Sequence, residues 1–284
     1  MNMKTGLVLE GGAMRGMFTA GVTDVMMENV IEFDGAIGVS AGAAFGCNYK
    51  SRQPGRVIRY NTQFCNDPRF CSVRSLIKTG DMFGADFCYH ELPEKHDVFD
   101  NEAFNSNPME FHVVCTDVLT GKAVYQRLDK ISYDALEWMR ASASMPLASR
   151  VVEVGGYKLL DGGISDSIPL EYFQSIGYDK NVVILTQPDG YVKKPSRAMA
   201  AMKLMLRKYP ELIKALEKRP EVYNKQVAYV RNEEKNGSTF VIAPDEKLPI
   251  GHIEHNADNL RKVYNLGREV AEKRLSELKA FMEK

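Results

Sequence analysis

The stretch AIGVSAGAAFGCNYK, residues 36–50, decides the fold of this chain. Its first part, Ala36-Ile37-Gly38-Val39, is a short apolar run with the length of a buried strand. The rest, from Ser40 to Lys50, is rich in small residues and reads as a helix. Ser40 stands at the junction, flanked by Gly38 and Gly42. A strand that turns sharply into a helix at a serine exposes the hydroxyl above the sheet and aims the helix N–H groups and dipole at it. So cramped a turn needs small neighbours, which the two glycines supply. A Gly-rich bend with an inert serine has the same composition, so the motif alone leaves both readings open.

Upstream, Leu7-Val8-Leu9 reads as a buried strand that Gly11-Gly12 breaks. Residues 13–29 then carry apolar side chains at helical spacing, from Met14 and Met17 to Val25 and Met26. Strand, helix, strand and helix within fifty residues predict a βαβ unit with parallel strands and a right-handed crossover. The two strand ends then lie side by side. This sets the loop Gly11-Gly12-Ala13-Met14-Arg15-Gly16 next to Ser40, with the N–H groups of Gly12 and Ala13 facing the hydroxyl as an oxyanion hole. Arg15 adds fixed positive charge. The same loop resembles a dinucleotide-binding turn, but Ala13 replaces the middle glycine and Asp34 precedes the second strand instead of ending it. A P-loop is excluded, because no Gly-Lys-Ser/Thr follows.

Further along, residues 54–104 are helical and irregular by turns, with His90 and His96 in a charged loop around Pro93. Residues 111–115 read as a strand with 123–125 as its hairpin partner. Tyr133–Ala143 reads as a helix. Residues 151–154 and 157–160 flank a Gly155-Gly156 hairpin turn. A helix begins near Pro169, and residues 182–185 form another buried strand. From about residue 191 the character changes. Residues 193–219 hold nine Lys/Arg and two Glu, interleaved with Met and Leu. The remainder is mainly helical, apart from Thr239–Ile242, and ends in an amphipathic helix over 260–284. The expected division is a catalytic core over residues 1–190 and a helical extension over 191–284, packed on the core.

Composition narrows the function. The 284 residues carry 37 basic and 37 acidic side chains, so no net field favours nucleic acid. Five cysteines without a CxxC pair fit a reducing compartment better than a disulfide framework. No metal site or organic cofactor is indicated. The N-terminus lacks the apolar core of a signal peptide, and no run is long enough to span a bilayer. A cytoplasmic protein is expected, able to touch a membrane from outside. The basic stretch 193–219 has two readings: a helix lying on anionic lipid, or a layer that buries one apolar stripe, which is the default. Phe83 and Phe87 are either a lid or core.

A serine needs a base. Asp161 ends a strand and enters Gly162-Gly163, which lets a carboxylate sit at the sheet edge; the same pattern describes an ordinary turn. A Ser40, Asp161, His252 or His255 order matches an α/β-hydrolase triad. However, only 23 residues separate Gly16 from Ser40, so the two turns belong to consecutive strands, unlike that fold. His252 and His255 also lie in a polar loop.

Taken together, these segments resemble the patatin-like phospholipase family. Its G-G-G-x-R/K-G loop, G-x-S-x-G elbow and D-G-A/G motif correspond to Gly11–Gly16, Gly38–Gly42 and Asp161-Gly162-Gly163. Arg140-Ala141-Ser142-Ala143-Ser144-Met145-Pro146 is similar to the family's R-A-S-x-x-x-P segment. The resemblance covers about residues 5–188. It implies a three-layer α/β/α fold with a mostly parallel sheet, and a serine lipid acyl hydrolase: a phospholipase A, lysophospholipase or carboxylesterase. In it Ser40 is the nucleophile, Asp161 takes its proton, and N–H groups near Gly12, Ala13 and Met14 hold the oxyanion. Ala13, where the family has a third glycine, adds a methyl group to that loop. The alternatives are a His-based esterase and a catalytically silent lipid-binding member. The expected partner is a lipid or acyl ester.

Overall fold

Consecutive side chains of a strand point to opposite faces, so a strand apolar at every position must be covered on both sides. The computed structural model, which describes residues 4–283, has this arrangement. Residues 1–3 and 284, which the expected domain limits include, lie outside the described residues. Leu7 and Leu9 of strand β1 (Thr5–Leu9) face one cluster and Val8 the other. The same alternation divides Val113 and Cys115 from Val114 on β3 (Glu110–Asp117). The fold is therefore α/β in three layers.

The sheet has eight strands. Strands β1 and β2 (Gly35–Val39) pair in parallel, as the βαβ reading requires, and β2 pairs in parallel with β3. On the other side β1 pairs with β7 (Lys180–Ile184), and β7 with β8 (Thr239–Ile242), both in parallel. Strand β4 (Ala123–Arg127) and the hairpin β5–β6 (Val152–Val154, Tyr157–Asp161) are antiparallel additions. Strand β2 pairs with residues 110–114 of β3 and β4 with residues 112–116, so these two occupy opposite edges. Strand β6 pairs with residues 115–117, overlapping β4, and thus continues the edge of β2 from the opposite direction.

Helices α1 (Gly16–Glu28), α2 (Ala41–Lys50), α3 (Arg56–Phe64) and α4 (Val73–Thr79) precede a π-helical segment, Asp86–His96. That segment replaces the loop expected around Pro93. Then come α5 (Asn101–Ser106), α6 (Tyr133–Ser142), α7 (Leu170–Ser175), α8 (Met199–Met205) and α9 (Pro210–Asn236). The amphipathic tail is two helices, α10 (Ala257–Lys273) and α11 (Leu275–Glu283). They part at Arg274, whose guanidinium lies 4.2 Å from the Phe240 ring centroid and donates to the Val241 carbonyl of β8.

The segment after residue 190 shares the core. It supplies β8 to the sheet and α9 to one face, where Tyr223 and Val230 pack with Val8 and Phe173. Helix α10 lies on α1 on the other face. A Cβ on Gly21 would meet the Tyr264 carbonyl at 2.0 Å, and one on Gly267 would meet that of Phe18 at 2.1 Å. Tyr264 donates to Asp24 at 2.7 Å, and Arg268 pairs with Glu28 at 2.7 Å. In the basic stretch, Leu212 and Leu216 of α9 are buried, as an ordinary helical layer requires, whereas Leu204 and Met205 of α8 are exposed. Gly267→Ala is expected to force the helices apart and lower the unfolding free energy by about 1–3 kcal/mol, read from a urea titration.

Candidate active site

Strands β1 and β2 end side by side, and the loop after each rises at the same edge. Ser40 follows β2 with φ +56 and ψ −121. A β-substituted residue holds such a backbone only where its surroundings over-determine it. Gly38 and Gly42 are part of that determination. A Cβ on Gly38 would meet the Gly42 carbonyl at 2.4 Å, and one on Gly42 the Leu9 carbonyl at 2.4 Å. The strand-to-helix elbow therefore closes only with glycine at both positions.

Ser142, at the end of α6, completes the elbow. Its hydroxyl accepts from the Ser40 N–H at 2.9 Å and donates to the Val114 carbonyl at 2.6 Å. It thus bridges β2 and β3 where their ladder stops. In the same gap Asp161, last residue of β6, pairs with Cys115. Ser40 and Asp161, 121 positions apart in the chain, are thereby set against neighbouring residues of one β3 edge. A Cβ at Gly162 would lie 2.1 Å from the Val114 carbonyl, so the turn after Asp161 requires glycine.

Asp161 is buried, and its Oδ1 accepts from the Gly163 N–H at 2.7 Å. Thr116 Oγ1 donates to its carbonyl at 2.8 Å. Burial pushes the Asp161 carboxyl above the ordinary carboxylate value. The Arg219 charge pulls it down, as do the hydrogen-bonding Ser40 hydroxyl, the Gly163 N–H and the Lys193 charge. A carboxylate held this way is a stronger base than one in water.

The glycine loop lies across the elbow. A Cβ on Gly11 would stand 2.9 Å from that of Ser40. The Glu10 N–H bonds to Ile184 and the Arg15 N–H to Gly12, each at 3.1 Å. Among the described residues the N–H groups of Gly11, Gly12 and Ala13 between them find no protein acceptor. Ala13 through Arg15 form a 3₁₀ turn, and Gly16 opens α1 against the Phe45 ring. Ala13 takes φ +49, a backbone that favours glycine, and this is the structural consequence of the methyl noted in the sequence. The loop is anchored by Glu10, which is buried. Its carboxylate accepts from Tyr223 at 2.7 Å and from the Thr186 N–H and hydroxyl at 2.5 and 3.1 Å.

A cavity of about 130 Å³ opens at Ser40 and Ala13, walled by Phe45, Tyr60, Phe70, Phe83 and Met139 among others. Phe83 is thus a wall residue, while Phe87 is buried against Phe64. Arg140 pairs with Glu137 and, at 3.9 Å, with Asp81 beside this cavity. His255 lies near the Cys65 carbonyl, 2.6 Å from its Nδ1. His252 makes no hydrogen bond to Ser40 or Asp161 among the described residues; partial desolvation of its ring and the charges of Arg15, Arg219 and Lys193 lower its pKa. No group of three His, Cys, Asp or Glu among the described residues is placed to hold a metal ion. Glu10, Ser142, Lys193 and Arg219 were not singled out as site residues from the sequence. Ser142 had a signal in the R-A-S segment, and Lys193 and Arg219 bound the basic stretch 193–219; Glu10 had none.

The comparisons bear on this arrangement. The family model described as patatin-like phospholipase matches residues 7–173. A second, described as a domain of unknown function (DUF6363), matches residues 209–283. The chain is similar to the uncharacterized protein YjjU of Escherichia coli K12, 26% identical over 285 residues, which cover 92% of this chain and 74% of that protein. It is also 26% identical over 185 residues to an uncharacterized NTE family protein of Mycobacterium bovis, covering 64% of this chain and 48% of the other. Among solved structures, VipD from Legionella pneumophila aligns with a TM-score of 0.43 and 12% identity, over 95% of this chain and 67% of its own.

Two outcomes are expected. Ser142→Ala leaves the Ser40 N–H and Val114 carbonyl unpaired and costs about 1–3 kcal/mol in a denaturant titration. Ala13→Gly relieves about 1–2 kcal/mol of backbone strain against an unfolded-chain entropy of about 0.4–1 kcal/mol. It therefore fails to destabilise the protein, unlike an ordinary alanine-to-glycine change.

Proposed function

The chain belongs to the patatin-like phospholipase family, and on that premise we propose that it is a serine lipid acyl hydrolase working through Ser40 and Asp161. Family membership supports lipid as the substrate class. The observation that carries the finer reading is the meeting of a strained serine elbow, lining a cavity, with a buried carboxylate on one strand edge. Among the described residues no helix is long and apolar enough to cross a membrane.

Asp161 accepts the Ser40 proton as the hydroxyl oxygen attacks the acyl carbonyl. The carbonyl oxygen gathers negative charge and takes hydrogen bonds from the free N–H groups of Gly12 and Ala13. Such donors contribute about 3–4 kcal/mol each to barrier lowering, which matters because a carboxylate is a weak base for an alcohol. The proton then passes to the leaving alcohol, and the acyl chain stays on Ser40 with its tail in the cavity beside Phe45 and Phe83. Water, deprotonated by Asp161, attacks the acyl-enzyme and frees the fatty acid and Ser40. No step needs an imidazole.

Ser40→Ala is expected to abolish covalent labelling by a fluorophosphonate probe and to lower ester turnover at least about 10³-fold. His252→Ala and His255→Ala retain turnover; its loss would favour the His-based esterase. Unlabelled wild-type protein would favour the silent lipid-binding reading. Asp161→Asn also loses turnover but gains stability at neutral pH. The native pKa of Asp161 lies above its unfolded value, so ionisation there opposes folding. The gain therefore shrinks as pH is lowered, which thermal melts at several pH values test. The acid limb of kcat/KM follows the raised Asp161 value: turnover falls as pH drops through it.

A further inference from the structure

Three cations near the glycine loop and Asp161 lack an ion-pair partner among the described residues. Arg15 lies in the glycine loop, Lys193 in the segment after β7, and Arg219 on α9. None forms an ion pair among the described residues, although most other arginines here do. Arg15 Nε is buried with no hydrogen-bond partner at all. Arg219 Nε donates to the Gly163 carbonyl. A methyl on Gly163 would stand 3.0 Å from Asp161 Oδ1 and 3.3 Å from Arg219 Nη2, so the guanidinium borders the carboxylate. The Lys193 ammonium sits 4.0 Å over the Tyr223 ring, whose hydroxyl is bonded to Glu10 at the root of the glycine loop. Burial and the Arg219 and Arg15 charges lower the Lys193 pKa to about 8, opposed by Glu10 and Asp161.

Like charges that converge in a half-buried site repel unless an anion joins them. The two carboxylates at hand are committed: Glu10 to three hydrogen bonds, Asp161 to the reaction. The cavity that receives the acyl chain is not lined by any of the three cations or by Asp161. Resting on the function proposed above, we propose that Lys193 and Arg219, together with Arg15, form a subsite for a phosphate monoester. The substrate is then a fatty-acyl ester whose alcohol carries a terminal phosphate. The segment after residue 190 thereby selects the charged end of the substrate, and the N-terminal part holds the acyl end.

Binding is read by calorimetry on full-length Ser40→Ala protein, so that the result does not depend on turnover. The ligands are 1-octanoyl lysophosphatidate, 1-octanoylglycerol and inorganic phosphate. The lysophosphatidate is expected to bind at least about tenfold more tightly than the glyceride. Adding Lys193→Gln or Arg219→Gln erases most of that difference, and a cooperative thermal melt of each variant reports that it is folded. Equal affinity for the two lipids overturns the proposal, as does a preference that both variants keep. Inorganic phosphate binding as tightly as the lysophosphatidate also overturns it, by making free phosphate the ligand. Failure of wild-type protein to label at Ser40 would instead remove the hydrolase reading and leave the binding preference standing.

Discussion

One edge of β3 serves two strands that run toward each other, and the gap between their ends is the constraint on which the site depends. Strand β2 stops at Val39 opposite Val114, and β6 stops at Asp161 opposite Cys115. A ladder that ends inside a protein strands peptide groups, which must be paired elsewhere. Here side chains replace the missing backbone partners. Ser142 ties the Ser40 N–H to the Val114 carbonyl, and Thr116 ties down the Asp161 carbonyl. The gap is too narrow for Cβ atoms at Gly38, Gly42 or Gly162. The strained dihedrals of Ser40 persist because both ends of its turn are fixed in this way.

Local pattern carried the frame into view. Apolar runs interrupted by glycine gave β1, α1, β2 and α2, and Gly155-Gly156, both at positive φ, gave the β5–β6 hairpin. The motif residues were legible because close backbone approach restricts the chain to glycine, and that restriction shows in sequence. Other features had no local signature. The π-helical turn runs through Pro93, which reads as a breaker. The tail divides at Arg274 because of contacts to β8, more than thirty residues earlier. The Tyr223–Glu10 bond joins positions 213 apart. A polar side chain satisfied at that distance looks, in sequence, like one satisfied by water.

Two buried carboxylates flank the elbow, and their surroundings divide their roles. Glu10 takes three hydrogen bonds and holds the glycine loop to Thr186 and Tyr223. Such saturation makes Glu10 an anchor of the loop. Asp161 takes fewer, and burial raises its proton affinity. Burial alone would raise it further. Arg219 and Lys193 oppose it. The cations therefore favour ionisation of the carboxylate, whose proton affinity is a balance between desolvation and nearby positive charge.

The Arg219 share of that balance comes from α9, and the reason is visible in its spacing. Leu212, Leu216, Arg219, Tyr223, Gln226 and Val230 recur at intervals of four and three, the inward stripe of a helix packed on a sheet. Leu212 and Leu216 cover Val118, Leu160 and Ile164, and Val230 packs with Val183 and Val241. A helix that only covered the sheet would be apolar throughout. Instead the middle three positions are polar and reach two loops: Arg219 the Gly163 carbonyl and Gln226 the Asp166 carboxylate at 2.6 Å in one, Tyr223 the Glu10 carboxylate in the other. Buried polar groups are tolerated in such a stripe only when paired. These are paired to the residues that follow Asp161 and precede the glycine loop. Moving α9 would therefore move both loops, which makes the segment after residue 190 a wall of the site and not an appendage to it.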